Sequence, residues 1–176
     1  MARLAQNPTP FWKGEFRRSD SPSLVTFRPG QVFVLMPIGS PESPEMYEAI
    51  RTGCLQVGLR AVRVDEVNGA GIIMRDVDRL MGEAEFLIFD LSRERPNVYY
   101  ELGYAHGIGN SAQNILLLAR EGTLIHFDVA PLRIHFYQSA AQLRAHVAAQ
   151  LAAMKGLIEA ATIRAPWWKR LLRTSA

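Results

Sequence analysis

The chain has 176 residues, 48% of them hydrophobic, enough to bury one core of ordinary domain size without calling for a second domain. A single cysteine, Cys54, excludes an internal disulfide and a cysteine-based zinc site, and fits a reducing compartment. The net charge of +3 is small, and no apolar run reaches the roughly 18 residues a membrane span needs, so a cytoplasmic protein is expected.

Residues 1–30 hold Pro8, Pro10, Pro22 and Pro29 among Arg3, Lys13, Arg17 and Arg18, with little periodicity, and predict an irregular basic arm. A domain over 31–160 follows. Val32 to Met36 is a continuous apolar run closed by Pro37 and Gly39, the pattern of a strand buried on both faces. Met46, Ile50, Cys54 and Val57 recur at helical spacing over 44–57, with Pro44 acceptable in a first turn. Residues 59–64 alternate apolar side chains with arginine and predict an edge strand. After the loop of Asp65 and Glu66, in which Gly69 and Gly71 fall, Ile73, Val77, Leu80 and Met81 predict a helix over 72–84. The run 85–90 predicts a strand ending in Asp90. A helix is expected over 97–109, then strands over 113–119 and 132–137 and an Ala-rich helix over 139–160. Residues 161–176 form a basic tail around Trp167 and Trp168.

Strands alternating with helices predict an α/β fold with a doubly wound parallel sheet of about five strands in the flavodoxin-like order 2-1-3-4-5. The topological switch then lies between the first and third strands, so the loops at 36–40 and 90–92 flank the ligand crevice. No G-x-G-x-x-G follows the first strand, and no phosphate-binding G-x-x-x-x-G-K-[ST] or nucleophile-elbow G-x-S-x-G is present. His106, His126, His135 and His146 lack metal-ligand spacing, so no metal site is assigned.

Asn97 after Pro96 reads as an N-cap, which places Val98, Leu102, Ala105 and Gly109 on one apolar stripe with Glu101 on its shoulder. Glu101 falls one residue beyond the capping-box position, which Tyr100 occupies. A carboxylate at a switch-point crevice can attack an anomeric carbon or steady an oxocarbenium-like transition state. Asp90 is placed to orient a base or protonate its departing nitrogen. Met36, Pro37, Gly39, Ser92, Asn97, Tyr100 and Tyr104 are the expected ligand-binding residues around these two catalytic acids. Bland readings stand beside these: Glu101 as an anion near a helix N-terminus, Asp90 as a turn initiator, Arg93 and Arg95 as exposed cations rather than phosphate ligands.

Asp90-Leu91-Ser92 and Pro96-Asn97-Val98-Tyr99-Tyr100-Glu101-Leu102-Gly103-Tyr104-Ala105-His106, with Val32-Phe33-Val34-Leu35-Met36-Pro37, resemble the nucleoside 2-deoxyribosyltransferase-like superfamily and its TIR-like branch over residues 31–137. The resemblance implies that Glu101 is the nucleophile and that Asp90 handles the base. The reaction would transfer or cleave at an N-glycosidic bond of a nucleoside or nucleotide. A TIR-like NAD hydrolase and a non-catalytic nucleotide-sensing or interaction module are the alternatives. It implies no cofactor, and a homo-oligomer; nucleic acid and membrane are not expected partners. Arg95-Pro96-Asn97-Val98 stands where the typical transferase has an Asp-x-Gly-Thr element.

Overall fold

A computed structural model describes residues 27–66, 73–110 and 113–164. Most of the expected arm, Gly69 and Gly71, and Trp167 and Trp168 lie outside the described residues. The chain runs β1 (Arg28–Leu35), α1 (Ser43–Gln56), β2 (Arg60–Arg63), α2 (Ile73–Glu83), β3 (Ala84–Asp90), α3 (Pro96–Gly107), β4 (Ile115–Arg120), β5 (Ile134–Tyr137) and α4 (Ala140–Arg164). The strands pair in the order β2-β1-β3-β4-β5, every pair parallel. The predicted flavodoxin-like sheet is the one the structure shows.

The apolar runs explain why this sheet is covered on both sides. Successive strand residues point to opposite faces, so a continuous run supplies two cores. Val32 and Val34 of β1, Phe86 and Ile88 of β3 and Leu116 and Leu118 of β4 pack under α1 and α4. Phe33 and Leu35, Leu87 and Phe89, and Leu117 pack under α2 and α3. β1 starts earlier than expected, at Arg28 inside the predicted arm. The Gly30 N–H donates to a carboxylate oxygen of Glu85 at 2.6 Å, and the pairing with β3 shifts register between Arg28 and Val32.

The start of α3 differs from the expectation. The helix begins at Pro96, with Arg95 as N-cap and no capping side chain, so Asn97 lies within the first turn. Proline takes the first helical position readily because its φ is already helical and the N–H it lacks would have no partner there.

At Gly53 the backbone of α1 packs closely on α4. A Cβ there would lie 2.8 Å from the Arg144 carbonyl and 2.9 Å from Val147 Cβ. Gly53→Ala gains about 1 kcal/mol of helix propensity but forces apart two packed helix backbones. Overpacking of this kind costs up to about 3 kcal/mol. We expect a net loss of about 1–2 kcal/mol on urea denaturation. Unchanged stability would mean that the helices separate freely.

Candidate functional site

Two cavities open at the C-terminal end of the sheet, and the end of β1 separates them: Met36 and Pro37 line both. One is a polar crevice of about 350 Å³ at the β1/β3 switch point, with Ser40, Ser43, Asp90, Ser92 and Arg120 in its walls. The other is a cleft of about 720 Å³ beyond β1, walled by Leu35, Val64, Val77, Val98 and Glu101.

Strand parity decides which acid enters which cavity. Phe86 and Ile88 face α1 and α4, and Asp90 continues that alternation, whereas Leu87, Phe89 and Leu91 belong to the face covered by α2 and α3. Glu101 stands on α3. The two acids that the sequence suggests should converge therefore line different cavities.

Asp90 is 2% exposed and fully engaged. The Ser92 N–H donates to its Oδ1 at 3.0 Å and the Tyr137 hydroxyl to its Oδ2 at 2.9 Å. Ser92 Oγ lies 3.2 Å from the Tyr137 hydroxyl and accepts the Arg120 N–H at 2.8 Å, so one network ties the ends of β3, β4 and β5. Burial raises the Asp90 pKa, opposed by the bonds from Ser92 and Tyr137. Burial also raises that of Tyr137, with the neighbouring Asp90 adding to it.

Nearer solvent, Glu42 accepts from Arg93 at 3.2 Å and from Arg120 at 2.8 Å, on the same oxygen. The hydrogen bond from Arg93, then the charge of Arg120, lower its pKa. Arg93 and Glu94 sit at φ 64° and 48°, a left-handed pair without glycine. In the loop after β1, Ser43 Oγ donates to the Pro37 carbonyl at 2.8 Å and lies 2.7 Å from Ser40 Oγ. Gly39 turns this loop at φ 84° and lines neither cavity.

Glu101 is half-buried on the cleft wall, and among the described residues no hydrogen bond or ion pair reaches its carboxyl group. Loss of water alone pushes its pKa up to about 7. Asn97 lies on the same wall. Asp65 and Asp76, also in the cleft, are held by Arg63 at 2.7 Å and by Arg79 at 3.2 Å.

The structure thus gathers Glu101 and Asn97 with Met36 and Pro37 in the cleft, and Asp90 and Ser92 with the same pair in the crevice. Tyr100, 66% exposed, and Tyr104 lie on the outer side of α3 and line neither. Tyr100 follows the buried Val98 by two residues, which on a helix is nearly the opposite side. Tyr137 and Arg120 escaped the sequence reading, since a tyrosine or arginine closing a short strand carries no spacing signal. No helix among the described residues is long and apolar enough to cross a membrane.

No protein-family model matches the chain, and no curated protein matches it. Solved structures do. Two variants of the flavo di-iron protein of Thermotoga maritima match with TM-scores of 0.50 and 0.52, each at 14% identity, over 74% and 75% of this chain. A flavoprotein of the same organism matches with a TM-score of 0.50 at 12% identity, over 74% of this chain. The chain spans 37% of the length of each. Identities this low establish a shared fold. These findings correct the expected kinship with nucleoside 2-deoxyribosyltransferase-like and TIR-like proteins. With it fall transfer or hydrolysis at an N-glycosidic bond, the nucleoside, nucleotide or NAD partner, and the nucleotide-sensing alternative. The neighbours in fold are flavoproteins, no family model supports the motif, and Glu101 and Asp90 do not share a cavity. The homo-oligomer expectation rests on that kinship, on the apolar surface of the Ala-rich helix over 139–160, and on the Trp167–Trp168 tail outside the described residues.

Proposed function

We propose that this chain is a small-molecule enzyme whose acid–base group is Glu101, acting in the cleft between β1, α2 and α3. The α/β unit over 31–160 carries the site. The supporting observation is the unpartnered, half-buried Glu101 carboxyl group on the wall of a cleft of about 720 Å³. That volume suits a small organic ligand, since such sites span about 300–1,000 Å³. A carboxyl group with a pKa of about 7 is present in both forms at neutral pH, the condition under which one group both takes and returns a proton efficiently. The mostly apolar walls, Leu35, Val64, Val77 and Val98, favour a substrate with an apolar body.

The structural neighbours are flavoproteins, and flavodoxin-like sheets hold FMN at the β1/β3 switch point. The residues at that place in this chain do not make such a site. Tyr137, the aromatic side chain in the crevice lining, is 2% exposed and bonded to Asp90, so it offers no ring to stack on a flavin. Pro41 and Pro44 remove two backbone donors from the loop that would cradle a phosphate, and the hydroxyls of Ser40 and Ser43 are bonded to each other. No redox step is therefore drawn through a flavin here.

The test combines carbon-detected NMR titration of the Glu101 carboxyl group with a panel of small organic substrates followed by mass spectrometry. We expect titration near pH 7 and turnover that Glu101→Gln abolishes. Titration near the ordinary glutamate value of about 4.5, or equal turnover by the variant, would refute the assignment. FMN and riboflavin belong in the panel, and a perturbed visible flavin spectrum on mixing would put a redox function in its place.

A further inference from the structure

We propose that the cleft selects a monocarboxylate with an apolar body, its carboxylate held at the mouth by Arg95 and Asn97 and its reacting end lying against Glu101. The inference rests on the acid–base reading of Glu101 and names the substrate class for that site.

Charge pairing around the two cavities carries the argument. Arg93 and Arg120, in the crevice, share the one carboxylate of Glu42. Asp65 and Asp76, in the cleft, are paired with Arg63 and with Arg79, the latter shared with Glu83. Arg95 lines the cleft and has no acidic partner among the described residues. It is the lining cation left for a ligand. Its planar guanidinium matches a carboxylate bidentately.

The start of α3 adds to this. Arg95 is the N-cap and no side chain caps the helix, so Asn97, which lines the cleft, stands in the first turn beside an uncompensated positive helix end. Glu101 stands about one helical turn further along, with Val98 between them on the wall. A ligand bridging the two positions has its charge at the rim and its body over apolar side chains. The charge count sets the valence. One unneutralised cation matches one negative charge, whereas a phosphate dianion would bring a second negative charge beside Asp65, Asp76 and Glu101.

Benzoate, cyclohexanecarboxylate, benzamide and inorganic phosphate are the probes, titrated into the full chain and read from amide NMR shifts along α3. Both carboxylates are expected to shift these resonances, with benzamide at least tenfold weaker. Arg95→Gln, an exposed position that leaves the core untouched, should weaken the carboxylates at least tenfold and leave benzamide unchanged; Arg95→Lys, keeping charge without the fork, should fall between. Equal binding of benzoate and benzamide, carboxylate binding indifferent to Arg95→Gln, or tighter binding of phosphate would each overturn the proposal. The two readings separate cleanly. Arg95-dependent carboxylate binding with a Glu101 that titrates at the ordinary value removes the catalytic reading alone, and a Glu101 that titrates near 7 without Arg95-dependent binding removes the substrate class alone.

Discussion

Glu101→Gln should raise the melting temperature at pH 8, leave it unchanged near pH 4, and lower turnover at least about a hundredfold, the scale on which single acid–base groups act. The folded-state pKa of Glu101, about 7, lies above its ordinary value of 4.5 because burial disfavours the charge. The folded protein therefore binds that proton more tightly than the unfolded chain. The resulting stability is fully present below about pH 4.5 and is lost as the pH rises through 7. Above that, an ionised carboxylate sits in the cleft wall without a partner. Glutamine has the shape of the protonated acid and never ionises, so it removes the burden only where the burden exists. A half-buried group keeps part of its water, which limits the gain to the order of 1 kcal/mol. That corresponds to about 2–4 °C for a chain of this size. Scanning fluorimetry of both proteins at the two pH values reads the difference. A stabilisation of equal size at both would mean that it has nothing to do with ionisation.

The same residue shows where the sequence was legible. Among the described residues, β1, β3 and β4 announce themselves as continuous apolar runs and α1 and α2 through apolar residues at spacings near 3.6, because burying both sheet faces leaves little freedom in where such residues stand. The sheet order followed from the alternation of strand and helix. What did not follow was the division of the crevice. Topology places the ends of β1 and β3 side by side, and both acids lie near that point in the chain. Their separation depends on strand parity at Asp90 and on which face α3 covers. Phe86, Ile88 and Asp90 share one parity, opposite to the face on which Val98 and Leu102 pack, so the signal was present but only in combination with the packing of α3.

The motif from Pro96 to His106 is misleading for a related reason. Proline opening a helix and apolar residues at Val98, Leu102 and Ala105 are what any helix needs when it leaves a buried strand and packs back on the sheet. Such a segment specifies a local strand-to-helix geometry. It does not specify a substrate, and the neighbours in fold share the sheet with this chain at 12–16% identity. The residues that distinguish this cleft are single ones whose meaning is set by their partners: Arg95 matters because Arg63, Arg79, Arg93 and Arg120 are all paired, a fact invisible before folding.

Asp90→Ala should cost about 2–4 kcal/mol of stability, whereas Asp90→Asn should cost about 1 kcal/mol or less. Alanine strands two donors in a buried site: the Ser92 N–H, and the hydroxyl of Tyr137, which is 2% exposed. Asparagine keeps an oxygen for the Ser92 N–H and turns its amide toward the Tyr137 oxygen. The Tyr137 hydroxyl then donates to Ser92 Oγ, 3.2 Å away, where either group can be the donor. Burial already favours the protonated form of Asp90, which has the same one-donor, one-acceptor pattern that asparagine supplies. Urea denaturation at neutral pH compares the three proteins, and equal losses for alanine and asparagine would show that the network does not need an acceptor at this position. The Glu101 titration is the second readout. Because Asp90 faces α1 and α4 across the sheet from α3, Asp90→Asn should leave the Glu101 midpoint where it was; a displaced midpoint would mean that the two acids are coupled and that the wall of Met36 and Pro37 does not separate their cavities.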